Sequence, residues 1–364
     1  MKVGLIFGTR PEAIKMSPVY HELKNSGIDV KVLATGQHKE MLYQVLDLFG
    51  IKPDYDLEIM KQGQGLSELT SRLIMKVEEV IKKEKFDYIL VQGDTTSAFV
   101  GAFVGFYNQI PVGHIEAGLR TGDIYSPFPE EANRKLIGNI AEIHFAPTDV
   151  NVNNLLSERY EAKKILKVGN TVIDALLWVK ENKSSDLKKI QKKYGINDKK
   201  YILMTMHRRE NWGKPMEDVL RGVRRYLEEN QELHLVFPMH LNPTVRETVK
   251  KSLDGFERKT LIDPLEYLEF IAVMDGAHFV MTDSGGVQEE APSLGKPTLV
   301  LRDTTERPEA IEAGTAKLIG TNTEEIYRYM KLLEGILYTE MSKANNPYGD
   351  GKTSEKIREY LLKN

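Results

Sequence analysis

Val3-Gly4-Leu5-Ile6-Phe7-Gly8-Thr9-Arg10-Pro11-Glu12 is an aliphatic run that breaks at a glycine and leads into a segment of helical periodicity. Such a stretch predicts a β-strand, a tight turn and a helix, and the pattern recurs along the chain. In the first half, strands are expected at 3–7, 30–34, 88–92, 112–116 and 143–146, with helices at 12–25, 39–49, 66–83 and 95–107. A second series has strands at 201–205, 233–237, 260–262, 277–282 and 298–301, with helices at 216–229, 244–252, 267–274 and 287–294. Alternation of this kind builds parallel sheets, so the chain reads as two doubly wound α/β domains in tandem. Residues 180–200, dense in Lys, Asn, Ser and Asp, read as the linker, with 187–194 able to form a surface helix. At 352–362, Ile357, Tyr360, Leu361 and Leu362 mark an amphipathic helix expected to cross back to the first domain.

A length of 364 residues suits about two domains. Fifty Lys and Arg against 53 Asp and Glu leave a charge of −3, which argues against a nucleic-acid-coating surface or an acidic tail. No apolar run approaches the ~18 residues of a membrane span, and the opening segment is too short for a signal-peptide core. The expectation is a cytoplasmic chain with no membrane contact. Without cysteine, disulfides, Cys-ligated zinc, iron–sulfur clusters and thiol nucleophiles are excluded. No Gly-x-Gly-x-x-Gly follows a strand, and neither a P-loop nor His-Glu-x-x-His occurs, so neither a tightly bound dinucleotide nor a catalytic zinc is expected.

Ligands of open parallel sheets bind beyond the carboxyl ends of the strands, and here those ends are polar. Gly8-Thr9-Arg10-Pro11-Glu12, with Lys15, is either a plain turn with a solvent-facing Arg or a phosphate site at a helix N-terminus. Gly93-Asp94-Thr95-Thr96-Ser97 offers Asp94 either as a helix N-cap or as a carboxylate aimed into a cleft. Glu116, within His114-Ile115-Glu116-Ala117-Gly118-Leu119-Arg120, needs a partner if buried, and Arg120 is one candidate. Pro129-Glu130-Glu131 opens a helix whose dipole tolerates anions, so one of these acids can be electrostatic filler. In the second half, Met206-His207-Arg208-Arg209-Glu210-Asn211 and Pro238-Met239-His240-Leu241-Asn242-Pro243 follow strands. Thr282-Asp283-Ser284-Gly285-Gly286-Val287-Gln288-Glu289-Glu290 gives a small-residue turn and helix start suited to a diphosphate, with Glu290 placed to accept from ribose hydroxyls. Arg302 and Arg307 add positive charge after the next strand. The residues alone therefore describe a two-domain enzyme of a nucleotide sugar or another phospho-ligand, with carboxylates on one wall and His, Arg and a phosphate cradle on the other.

These motifs, with Thr121-Gly122, Asn133-Arg134 and Arg302-Asp303-Thr304-Thr305-Glu306-Arg307-Pro308-Glu309, resemble in order and spacing the non-hydrolysing UDP-N-acetylglucosamine 2-epimerases, through to Asn346-Pro347-Tyr348-Gly349-Asp350-Gly351. The resemblance implies the GT-B architecture: two Rossmann-like doubly wound parallel-sheet domains facing a central cleft. Residues 1–169, joined by a C-terminal helix at 350–364, would form the N-terminal domain and 170–349 the UDP-binding domain. It also implies a homodimer, no metal or other cofactor, and interconversion of UDP-GlcNAc and UDP-ManNAc. The C2 proton of the sugar is weakly acidic, and departure of UDP from C1 makes it labile. The family mechanism is accordingly anti elimination to 2-acetamidoglucal and UDP, then re-addition with the opposite C2 configuration.

By the same resemblance, Arg10, Ser284, Gly285, Gly286 and Glu290 form the UDP cradle, with Lys15 and Arg307 close by and Phe270 at the uracil. Asp94, Glu116, Glu130 and His207 match the catalytic group. Asp94 and Glu130 are assigned to proton transfer at or near C2, Glu116 to stabilising positive charge or relaying protons, and His207 to the leaving oxygen or phosphate. Bacterial relatives are regulated by UDP-GlcNAc at a second site, matched here by Gln37, Gln64, Glu130, Arg208 and His240, with Glu40 where some relatives have Gln; near the uracil-contact Phe270, Leu265 likewise stands where some relatives have Gln. Rival readings are a GT-B glycosyltransferase with a UDP-sugar donor, a hydrolysing epimerase that releases ManNAc and UDP, and a non-catalytic nucleotide-sugar sensor. Three acids on the first domain argue against the glycosyltransferase.

Overall fold

A computed structural model describes residues 1–36, 39–60 and 63–363, apart from the side chain of Lys39. The chain divides into two compact units, Met1–Ala175 with Tyr348–Asn364, and Leu176–Pro347. The first unit carries β1 (Lys2–Phe7), β2 (Asp29–Ala34), β3 (Tyr55–Asp56), β4 (Tyr88–Gln92), β5 (Val112–Ile115), β6 (Ile143–Ala146) and β7 (Ile165–Lys167). All pair in parallel, in the order β3-β2-β1-β4-β5-β6-β7. The second carries β8 (Lys200–Thr205), β9 (Leu233–Pro238), β10 (Lys259–Ile262), β11 (Phe279–Thr282), β12 (Thr298–Val300) and β13 (Ala316–Leu318), in the order β10-β9-β8-β11-β12-β13, again all parallel. Each unit is therefore a doubly wound Rossmann-like sheet, the type of unit from which the GT-B class is built. Its strand order reverses between β1 and β4 in one case and between β8 and β11 in the other. The carboxyl ends of these four strands are where such sheets bind ligands.

Burial on both faces explains the continuous apolar strands: all five residues of β4 and five of the six in β8 are buried. The helix Thr96–Tyr107 lies close on the first sheet because two of its positions lack a side chain. A Cβ on Gly101 would stand 3.0 Å from Val91, and one on Gly105 2.9 Å from Ile89. In the second unit the helix Lys214–Glu229 buries Met216, Val219, Leu220, Val223 and Leu227 in a core shared with Met204 and Met206. The final helix, Thr353–Lys363, packs on the first unit as its amphipathic pattern predicts. Ile357 and Leu361 are buried, Tyr360 meets Phe145 edge-on at 5.5 Å, and Arg358 pairs with Glu22.

Three readings need correction. Residues 180–200 are not a free linker: the chain passes between units at Ala175 and Leu176, inside the helix Thr171–Asn182. The charged stretch is largely the exposed face of the helix Ser184–Lys193, which buries Leu187 and bonds through Gln191 to the carbonyl of Ala272 (2.8 Å). The edge strands β3, β7 and β13, of two or three residues, carry too short a pattern to read from sequence. The strand expected at 112–116 stops at Ile115, because Glu116 turns into the left-handed region (φ 64°). Among the described residues, no helix is long and apolar enough to cross a membrane.

Candidate active site

At the switch point of the first sheet, the turns after β1, β4 and β5 hold one another. Glu12, one turn into the helix Arg10–Asn25, accepts from the Gly8 and Thr9 amides (3.0 and 2.7 Å) and from the Thr95 hydroxyl (2.6 Å). Burial pushes its carboxyl up, against these bonds. Gly8 is needed for packing: a Cβ there would lie 1.9 Å from the Thr35 hydroxyl. The Arg10 side chain has no hydrogen bond or ion pair to any described residue, which leaves its guanidinium available to an anion.

Asp94 is not the cap of the helix it precedes. Thr95 caps it, accepting from the Ala98 amide (3.1 Å), and the Asp94 carboxylate meets Arg134 (Nε to Oδ2 2.8 Å). Arg134 also holds Glu131 (2.9 Å), which is fully buried and accepts from the Thr121 amide. Of the two acids opening the helix Glu130–Ile140, Glu131 is thus a structural partner. Glu130, at the positive helix end, has no bond to any described side chain. Glu116 pairs with Lys15, whose Nζ lies 2.6 Å from both carboxylate oxygens, and not with Arg120, which binds Glu158 instead. Gln92 and Asn170 also donate to Glu116. Beneath, the buried His114 bonds the Gly93 carbonyl through Nε2 (2.7 Å), and burial lowers its pKa to about 4, so it backs the Gly93-Asp94 turn as a neutral ring.

At the second switch point, β8 and β11 run side by side with Thr205 opposite Thr282, their hydroxyls 2.6 Å apart. His207 and Asp283 therefore emerge as neighbours. His207 Nδ1 lies 3.0 Å from Asp283, whose buried carboxylate also accepts from the His207 and Arg208 amides (3.0 and 2.9 Å) and from Asn211 (3.0 Å). Burial pushes the Asp283 carboxyl up, but the bonds from His207 and the Arg208 amide outweigh it, and the net shift is downward. An ionised Asp283 can only accept, which fixes the proton on Nδ1 and leaves Nε2, on a half-exposed ring, for chemistry.

The turn that follows Asp283 has no packing reason for its glycines. A Cβ on Gly286 would meet nothing, and one on Gly285 would only touch the Arg307 guanidinium at 3.7 Å. Ser284 precedes the short helix Gly285–Glu290 without its hydroxyl capping it. Arg307 is held by Glu289, while Glu290 accepts from Tyr267 (3.2 Å), one turn before Phe270 on the helix Tyr267–Gly276. The structure thus gathers Ser284, Gly285, Gly286, Glu290 and Arg307 around one strand end, with Phe270 on the helix that carries Tyr267.

Arg208 Nε donates to the Asp283 carbonyl (3.2 Å). The exposed His240 lies against Trp212, whose indole donates to the His207 carbonyl (3.2 Å). Gln64, in the first unit, bonds Arg72 and Met60, and Gln37 lies outside the described residues. Sequence reasoning missed Glu12, Gln92, Arg134, Asn170 and Asp283 as site residues. Asp283 and Arg134 stood within the quoted motifs, and Gly169-Asn170-Thr171 before an apolar helical run is a helix-start signal. Among the described residues, no group of three or more His, Asp or Glu is arranged to hold a metal.

A family model described as UDP-N-acetylglucosamine 2-epimerase matches residues 21–362. The Bacillus subtilis UDP-N-acetylglucosamine 2-epimerase is 52% identical over 365 residues, covering 100% of this chain and 95% of the relative. The crystal structure of the Neisseria meningitidis UDP-GlcNAc 2-epimerase bound to UDP-GlcNAc matches with TM-score 0.86 at 48% identity, covering 100% of both chains. The Methanocaldococcus jannaschii UDP-GlcNAc 2-epimerase in complex with UDP-GlcNAc and UDP matches with TM-score 0.78 at 34% identity, again covering 100% of both. End-to-end likeness at this level, over a chain whose acids and His-Asp pair stand at two sheet switch points, places the protein in the UDP-N-acetylglucosamine 2-epimerase family.

Proposed function

We propose that this chain is a non-hydrolysing epimerase that interconverts UDP-GlcNAc and UDP-ManNAc. The observation that carries the reading is the division of labour between the switch points: acids with a paired cation after β4 and β5, and a histidine held by a buried aspartate beside an open Ser-Gly-Gly turn after β8 and β11. In the elimination, a carboxylate takes the C2 proton, that C–H pair becomes the C1–C2 double bond, and the C1–O bond breaks with its electrons passing to UDP. Asp94 and Glu130 serve the two C2 faces. Glu116, clamped by Lys15, stabilises the positive charge that develops at C1, while Arg10, Arg307 and the turn amides hold the diphosphate. His207, fixed by Asp283, presents Nε2 to the leaving oxygen. Re-addition of UDP to C1, with a proton delivered to the opposite face of C2, completes the turnover.

UDP-GlcNAc also acts as an effector through Arg208, His240, Gln64, Gln37 and Glu130. Supporting this, Arg208 and the Trp212 under His240 both touch the structure that holds His207. The working form is a homodimer joined through the helices Leu66–Glu84, Thr96–Tyr107 and Glu130–Ile140, which expose Met75, Phe106, Tyr107 and Leu136. To test the reading, purified protein is incubated with UDP-GlcNAc, without added NAD or metal, and the products are separated by anion exchange. UDP-ManNAc is expected. Free ManNAc with UDP would make the enzyme hydrolysing, and activity only with an added acceptor would make it a glycosyltransferase.

A further inference from the structure

We infer that Asn170 is a positioning residue for Glu116, an inference that rests on the catalytic reading of Glu116 proposed above. Asn170 is 3% exposed and precedes the helix Thr171–Asn182, on which the chain leaves the first unit. Its Oδ1 accepts from the Val172 amide (3.1 Å), capping that helix, and its Nδ2 donates to Glu116 Oε1 (3.2 Å). The orientation is forced: a flipped amide would set an oxygen against the Glu116 carboxylate and an NH2 against the Val172 N–H.

The backbone of Asn170 is equally fixed. Its amide donates to the Tyr348 carbonyl (2.6 Å), on the segment where the chain returns to the first unit, and a Cβ on neighbouring Gly169 would strike the Thr353 hydroxyl at 2.6 Å. Four residues on, Asp174 accepts from the Ser354 amide (2.7 Å). The outgoing and returning segments are thus bonded side by side, and one side chain runs from them to the carboxylate.

At Glu116 the donors divide. Lys15 bridges both oxygens, Gln92 takes Oε2 and Asn170 takes Oε1. The lysine alone leaves the carboxylate free to turn about its last bond, whereas one amide on each oxygen sets its plane. Asn170 therefore acts on the chemical step rather than on substrate affinity.

The test uses Asn170→Ser, which keeps a capping oxygen but is too short to reach Glu116, assayed beside Glu116→Gln and the double variant. Asn170→Ser is expected to melt with the wild type and to lower kcat roughly tenfold with KM within about twofold, the scale of one hydrogen bond to a charged group. The double variant should turn over no more slowly than Glu116→Gln alone, as coupled residues do. Wild-type kcat in Asn170→Ser, or fully additive losses, overturns the positioning role while Glu116→Gln stays impaired. Wild-type turnover in Glu116→Gln overturns the catalytic reading and this inference together. If Asn170→Ser fails to fold, Asn170→Asp, which keeps both shape and cap, carries the same test: lowered kcat is expected and wild-type kcat overturns it.

Discussion

Asp283→Asn isolates the support of His207 with little change of shape. The carboxylate takes four donors, the His207 ring and amide, the Arg208 amide and Asn211 Nδ2, all between 2.9 and 3.0 Å at their shorter contacts. An amide can accept on one side only, so its NH2 must face one of these donors. Losing charge assistance at the imidazole alone is worth about 1.5–3 kcal/mol, or roughly 10- to 100-fold in rate if the bond tightens in the transition state. The imidazole is also freed to take the other tautomer, which adds to the loss. Turnover of UDP-GlcNAc by the purified variant should fall on this scale, with a lowered Tm because the site is buried. Near-native circular dichroism would show that the fold survives. Turnover within about twofold of wild type would refute the argument that Asp283 holds His207 for chemistry.

Asp94→Asn, Glu116→Gln and His207→Asn should each lower turnover by ~10² or more, the scale of lost acid–base or electrostatic help, in the same assay. Burial holds His114 near 4 and His144 near 3, below the ordinary 6.5, so the unfolded chain takes up protons that the native chain refuses. Their contribution is complete above about pH 6.5 and is lost as pH falls toward the folded values, up to about 3 kcal/mol for His114. Urea midpoints should therefore drop between pH 7.5 and pH 5, and His144→Phe should shrink the difference; an unchanged difference would contradict this. Phe106→Asp should convert a dimer to monomers in light-scattering chromatography, and an unaltered mass would remove the apolar helix face as the contact.

The long central strands were legible because burial on both faces writes continuous apolar runs, as in Tyr88–Gln92. Tyr55–Asp56 and Ala316–Leu318 were not, since they are strands only by virtue of the neighbour they pair with. The same divide runs through the site. Gly93-Asp94 and Ser284-Gly285-Gly286 announced themselves as polar turns after apolar strands. Their partners did not: Lys15 and Glu116 stand 101 positions apart, Asp94 and Arg134 40, and His207 and Asp283 76. Such pairs are set by sheet register and helix packing, which no local pattern encodes. Arg120 is a candidate mate of Glu116 by nearness in sequence, yet Glu116, in its left-handed turn, pairs with Lys15. Asn170 needed the returning segment at Tyr348 as well, across almost half the chain.

In the proposed mechanism the C2–H bond breaks and re-forms at the acids of the first unit. Proton NMR of UDP-GlcNAc incubated with chelator-treated protein in D2O tests it directly. UDP-ManNAc should carry deuterium at C2, and Asp94→Asn should lose that exchange. UDP-ManNAc that retains protium at C2 would contradict it.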